Sequence, residues 1–220
     1  ESACAQVQRA ERKVMLDENT LPHWDDLLLV FETAHRQGRP VAVHCVTPAE
    51  LVLTLSVLRE VGPHPGDRIE HGSLVPNEIL PLLREVGVRV ITQPGFIHER
   101  GDQYLHGVAP AAHGELYRCN TLLVHRIRLA GSTDAPYGNP DPWAAMRAAV
   151  DRRSRAGIAL GQAEQLSPEQ ALALFTSAAD DPGGASRTIA VGEVADLCLL
   201  NCTWQEARLR LCSADVRATL

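Results

Sequence analysis

The chain has 220 residues, 45% of them hydrophobic, with a formal net charge of −6 and a pI near 5.8. That size and apolar content suit one core-bearing domain or slightly more, and the acidic balance argues against a nucleic-acid or anionic-membrane surface. No run of the sequence approaches the ~20 apolar residues of a membrane span.

Taken in chain order, "RKVML" (12–16) reads as a strand, and "WDDLLLVFETAHRQ" (24–37) has helical spacing that stops at Gly38. "PVAVHC" (40–45) reads as a buried strand. "TPAE" after it is a capping box with proline at the first helical position, opening "LVLTLSVLREV". "RIEH" (68–71) is a short strand, "VPNEILPLLREVG" a helix ending near Gly87, and "VRVITQ" (88–93) another strand. Residues 94–113 mix polar and aromatic side chains and read as a long loop. "ELYRCNTLLVHR" is expected to be helical, and 127–132 is the next strand. Asp141-Pro142 caps "WAAMRAAVDRRS", "SPEQ" caps "ALALFTSAAD", and "VGEVADLCLLN" reads as a turn and a strand.

About five consecutive βα units imply an α/β fold with a parallel sheet. No glycine-rich nucleotide signature follows a strand. A (β/α)8 barrel takes roughly 250 residues, so this stretch suits a partial TIM-type barrel.

Barrel chemistry gathers at the C-terminal ends of strands. Those ends carry His44, His71, Gln93 and Asp134, while Lys13 and Asp17 belong to the first strand. Each has a bland alternative: a satisfied core histidine for His44, a loop residue for His71, a turn cap for Asp134. Together, imidazoles and a carboxylate at successive strand ends form a set that a divalent metal such as zinc takes. Of 21 basic residues only Lys13 is a lysine. Arginine replaces lysine at a solvated surface but not where a neutral amine or a covalent adduct is needed.

"VAVHC", "RIEHG" and "AGSTDAP", in this order, resemble strands five, six and eight of the metal-dependent amidohydrolase superfamily. The amidohydrolase-3 branch, which includes N-substituted formamide deformylases, is the nearer likeness, supported by "RKVMLDE", "VITQPGF", "SPEQALALFTSAAD" and "VGEVADLCLLN". The resemblance implies barrel strands four to eight over 1–181 and the start of a small, truncated β-sandwich over 182–220. It implies one or two divalent ions, with zinc expected. It makes Lys13 the strand-four lysine that carries a CO2 adduct in many members. His44 and His71 become ligands of the second metal. Asp134 becomes a ligand and the general base that takes a proton from water and passes it to the leaving amine. The implied reaction is hydrolysis of non-peptide C–N bonds, of the amide or formamide kind, in a small molecule.

The family's first strand supplies a His-x-His pair, and here no two histidines stand two apart. The chain is therefore expected to be a piece of a longer protein or a natural remnant, with its first metal site incomplete. Two alternatives stay open: a non-catalytic barrel remnant or interaction module, and a mononuclear zinc deaminase, against which Lys13 speaks. Unpaired strand edges of a half-barrel predict oligomers or poor solubility. In the 94–113 segment, His98 and Arg100 are candidate substrate contacts, alongside Gln93 and Arg118, although a self-pinned loop explains the first two equally and a solvated helix start explains Arg118 better. The six cysteines (Cys4, Cys45, Cys119, Cys198, Cys202, Cys212) include no Cys-x-x-Cys pair and read as reduced thiols of a cytoplasmic protein. His23 and His35 are expected at the surface.

Overall fold

A computed structural model describes residues 10–220; Cys4 lies outside them. Five strands form one sheet: β1 (Arg12–Met15), β2 (Val41–Cys45), β3 (Arg68–His71), β4 (Arg89–Thr92) and β5 (Leu129–Gly131). Every strand pairs with its chain neighbour, in the order β1-β2-β3-β4-β5, and every pairing is parallel. The connections carry helices: α1 (Trp24–Arg36), α2 (Pro48–Val61), α3 (Leu80–Val86), then α4 (Gly95–Gly107) and α5 (Asn120–Val124) between β4 and β5. This sequential α/β order is consistent with part of a TIM-type barrel.

The register explains how the sheet divides its chemistry. Val14, Val43, Ile69, Val90 and Leu129 fall in one cross-strand row. That row joins Phe31 of α1, Leu51 and Leu58 of α2 and Leu83 of α3 in the main core. Burying each such side chain is worth about 1.5–3 kcal/mol. The alternate row, Met15, His44, Glu70, Ile91 and Ala130, lies on the other face. That face is polar near its base, where Arg68 pairs with Glu70 at 2.7 Å and with Glu11.

Local signals set the helix ends. Glu50 accepts from the Thr47 and Val46 amides, and Thr47 caps Glu50 in return, so the expected capping box starts α2. Asp141 accepts from the Trp143 amide and opens α6 (Pro142–Asp151); a second capping box, Ser167 with Gln170, opens α7 (Pro168–Ala173). Gly87, left-handed at φ 73°, ends α3. No helix among the described residues is long and apolar enough to cross a membrane.

Three expectations need correction. Residues 95–107 are helical, not loop: Phe96, Ile97 and Gly101 are buried and Tyr104 and Leu105 pack against them, a helical face masked in the sequence by three glycines and many polar residues. The segment around "ELYRCN" is not helical before Asn120. Leu116 bridges Leu74 in antiparallel fashion, and Tyr117 is left-handed at φ 43°. His35, expected at the surface, places Nε2 3.2 Å from the buried Asp67, which also accepts from the Val41 and His64 amides.

The segment expected to open a β-sandwich forms a single antiparallel ribbon of β6 (Cys198–Leu200) and β7 (Val216–Thr219), with α8 (Trp204–Ala207) between them. It is tied to the helices by Trp204 Nε1 donating to Glu169 of α7 and Ser213 Oγ donating to Asp141.

Candidate functional site

An open cleft of ≈ 430 Å³ lies over the C-terminal ends of the strands. The structure brings five sequence candidates into its lining: Lys13 of β1, His44 of β2, His71 of β3, Arg100 of α4 and Asp134 just after β5. The rings of His44 and His71 stand edge to face, their centroids 4.5 Å apart.

That meeting depends on an irregular backbone. Cys45 is the cross-strand partner of His71, and strict alternation would send His71 toward the helices with Ile69. Instead His71 adopts φ 72°, a left-handed conformation costly for a non-glycine residue, and its ring turns into the cleft. Asp134 (φ 53°) and Tyr117 (φ 43°) share the same conformation and line the same cleft. Strained backbone of this kind persists only where the surroundings impose it.

Gln93, expected to touch substrate, has another place. It is 2% exposed, and its Nε2 donates to the Ile91 carbonyl (3.2 Å) and to Ser132 Oγ (2.9 Å). A carbonyl only accepts, so this end of the amide must be the nitrogen. Gln93 Oε1 therefore faces His71 Nδ1 at 2.7 Å, and Nδ1 must carry the proton. The Nε2 lone pair of His71 is left free, as a metal-binding imidazole requires. Burial, and then the neighbouring His71, push the His44 imidazole below its usual range, which favours its neutral form.

Asp134 sits in a tight turn, its carbonyl accepting from the Tyr137 (2.8 Å) and Gly138 (3.2 Å) amides. Gly138 is required here, because a Cβ would stand 2.2 Å from the Thr133 carbonyl oxygen. Arg100, expected in a loop, comes from α4. Its guanidinium lies 3.8 Å from the centroid of Phe96, and one Nη2 hydrogen bonds to the Tyr137 carbonyl at 3.0 Å.

Two expected contacts are not in the cleft. Arg118 is buried, its guanidinium donating to the Val75 carbonyl, Asn77, Thr121 and Glu164, so it braces the loops beneath the site. His98 is exposed on α4, with Nδ1 3.3 Å from the Arg153 carbonyl. Phe96 and Tyr137 were not singled out in the sequence. Their signal is position: each follows a strand-end polar residue by three, Phe96 after Gln93 and Tyr137 after Asp134.

Two imidazoles with converging rings and a carboxylate in one cleft suit a divalent ion by donor chemistry. The fit is partial. Among the described residues, no three His, Cys, Asp or Glu side chains approach closely enough to form a ready ion-binding group. His44 and His71 are thus the assembled pair, with Lys13 and Asp134 at the margins of the same space.

A sequence model described as the amidohydrolase family matches residues 5–220. The chain is 25% identical over 160 residues to the protein YtcJ of Bacillus subtilis (strain 168), covering 70% of this chain and 30% of that one. It is 23% identical over 176 residues to the N-substituted formamide deformylase of Arthrobacter pascens, covering 76% and 32%. Among solved structures, an uncharacterized metal-dependent hydrolase from Pyrococcus furiosus superposes with a TM-score of 0.62 at 32% identity, covering 71% of this chain and 32% of the other. The chain thus spans about a third of the length of the curated relatives it matches.

Proposed function

We propose a metal-assisted hydrolase from one premise: this chain belongs to the amidohydrolase family. The reaction we assign is hydrolysis of a non-peptide C–N bond, of the amide or formamide kind, in a small molecule. The observation that carries the reading is the His44–His71 pair, edge to face in a cleft that Asp134 also lines. The relative named as a formamide deformylase supports the substrate class.

His44 and His71 would hold a divalent ion, zinc by donor type, with Asp134 and a CO2 adduct on Lys13 as further oxygen ligands. When bound, such an ion polarises a carbonyl and makes water more acidic. The chain's own groups do the rest. Gln93 fixes the His71 proton on Nδ1, so the ring presents its lone pair. The Asp134 carboxylate, which makes no side-chain ion pair among the described residues, accepts a proton from the attacking water and returns it to the leaving nitrogen. Phe96 and Tyr117, both buried and packed edge to face, exclude solvent from one wall.

Metal content per chain, measured on protein purified without chelator, tests the reading. We expect about one ion, lost in the His44→Ala/His71→Ala double variant, together with formate release from formanilide. A second reading, a non-catalytic barrel remnant, draws on the lack of a ready three-ligand group among the described residues; no ion in either protein would establish it. The outer edges of β1 and β5 have no partner strand among the described residues. They support self-association, which a sharp monomer peak on sizing would refute.

A further inference from the structure

Several arginines among the described residues are matched by a carboxylate or by a set of carbonyls. Arg68 meets Glu70 and Glu11, Arg118 meets Glu164, and Arg152 meets four carbonyls. Arg100, which lines the cleft, has no such match. No carboxylate lies within 4 Å of it among the described residues, and of its five N–H groups only one has a protein acceptor there. The acids beside it on α4 are committed elsewhere: Glu99 accepts from the Asn139 amide, and Asp102 accepts from Ser154 and the Ala156 amide.

Arg100 is nonetheless held in one pose. The face of its guanidinium lies over Phe96 and one edge is bonded to the Tyr137 carbonyl. Stacking uses the π face and leaves the in-plane N–H groups available. Arg100 is the one basic residue of the lining that the proposed hydrolysis leaves without a role, in a chain whose net charge is −6. A positioned, unpaired guanidinium fork in such a cleft is a receptor for a planar anion.

We propose that Arg100 determines substrate charge: the molecule hydrolysed here carries a carboxylate beside a flat apolar group. The carboxylate docks on the free edge of Arg100. The apolar part lies along the exposed Tyr137 ring, and the bond to be cleaved points toward His44 and His71. This assignment rests on the cleft being the hydrolytic site proposed above.

The test compares 4-formamidobenzoate with its uncharged analogue, 4-formamidobenzamide. Dissociation constants are measured by NMR titration of the wild-type chain, Arg100→Gln and Arg100→Lys. A charge-assisted fork predicts that wild type binds the acid about tenfold or more tightly than the amide. Arg100→Gln should abolish that preference and Arg100→Lys retain part of it. Equal affinities in wild type, no binding of either probe, or a preference that survives Arg100→Gln would overturn the proposal. Formate release from both probes is followed in parallel on zinc-loaded protein. A binding preference without formate release would leave Arg100 as an anion receptor and sink the hydrolase reading instead.

Discussion

Replacing Gln93 by leucine removes the acceptor that holds the His71 proton, and the structure sets the size of the effect. The His71 Nδ1 to Gln93 Oε1 contact is 2.7 Å long, between side chains 8% and 2% exposed. Leaving a buried donor without its acceptor costs about 1–3 kcal/mol, which corresponds to roughly a 5- to 150-fold bias toward the Nδ1–H tautomer in the wild type. Leucine nearly matches glutamine in shape, so cavity formation adds little, while the Ile91 carbonyl and Ser132 Oγ each lose a donor. The variant should be less stable by on the order of 2–4 kcal/mol. Metal affinity should fall about 10–100-fold, as for other orienting partners of histidine ligands. The direct assay is the nitrogen spectrum of the His71 ring in labelled protein under conditions where it is neutral. Wild type should show a protonated Nδ1 and a bare Nε2, and Gln93→Leu a mixture of both tautomers. A wild-type ring protonated on Nε2, or a spectrum unchanged by the substitution, would refute the reasoning.

Other substitutions probe the frame around the site. Arg152, 0% exposed, donates to the carbonyls of Leu116, Tyr117, Leu160 and Gly161 at 2.9–3.2 Å. Arg152→Met should lower unfolding free energy by about 3–5 kcal/mol, and a denaturant-midpoint change equivalent to under ~1 kcal/mol would show that those carbonyls find other donors. A hydrogen bond from Arg68 holds the Glu11 carboxyl below its ordinary value of 4.5. The unfolded chain therefore takes up the proton first, so this contribution is present above that value and is lost as pH falls through it toward the lower folded value. Glu11→Gln should flatten the acid limb of the stability curve below pH 4.5; an unchanged limb would mean that the pairing with Arg68 contributes nothing.

The strands and helix caps were legible because each has a local signature. "VAVHC" is a short apolar run, "RIEH" follows the proline- and glycine-rich loop "GPHPGD", and Thr47-Pro48-Ala49-Glu50 spells its own capping box. The strand-end histidines were legible for the same reason. What the sequence hid was non-local. Gln93 reads as another strand-end polar residue, and only the packing of β5 against β4 brings Ser132 to its amide and makes it a brace for His71. Arg118 was misplaced because the bridge of Leu116 to Leu74 and the left-handed turn at Tyr117 direct its side chain beneath the site. The left-handed conformation of His71 has no compositional marker, yet without it the two imidazoles would face opposite sides of the sheet.

Lys13 is exposed at the rim of the cleft and is the single lysine among the chain's 220 residues. Amine-directed chemistry therefore meets one side chain within these 220 residues. Reductive methylation with isotope-labelled formaldehyde would place one reporter at the mouth of the cleft without any engineered residue. Its resonance would respond to whatever enters between the imidazole pair and Arg100.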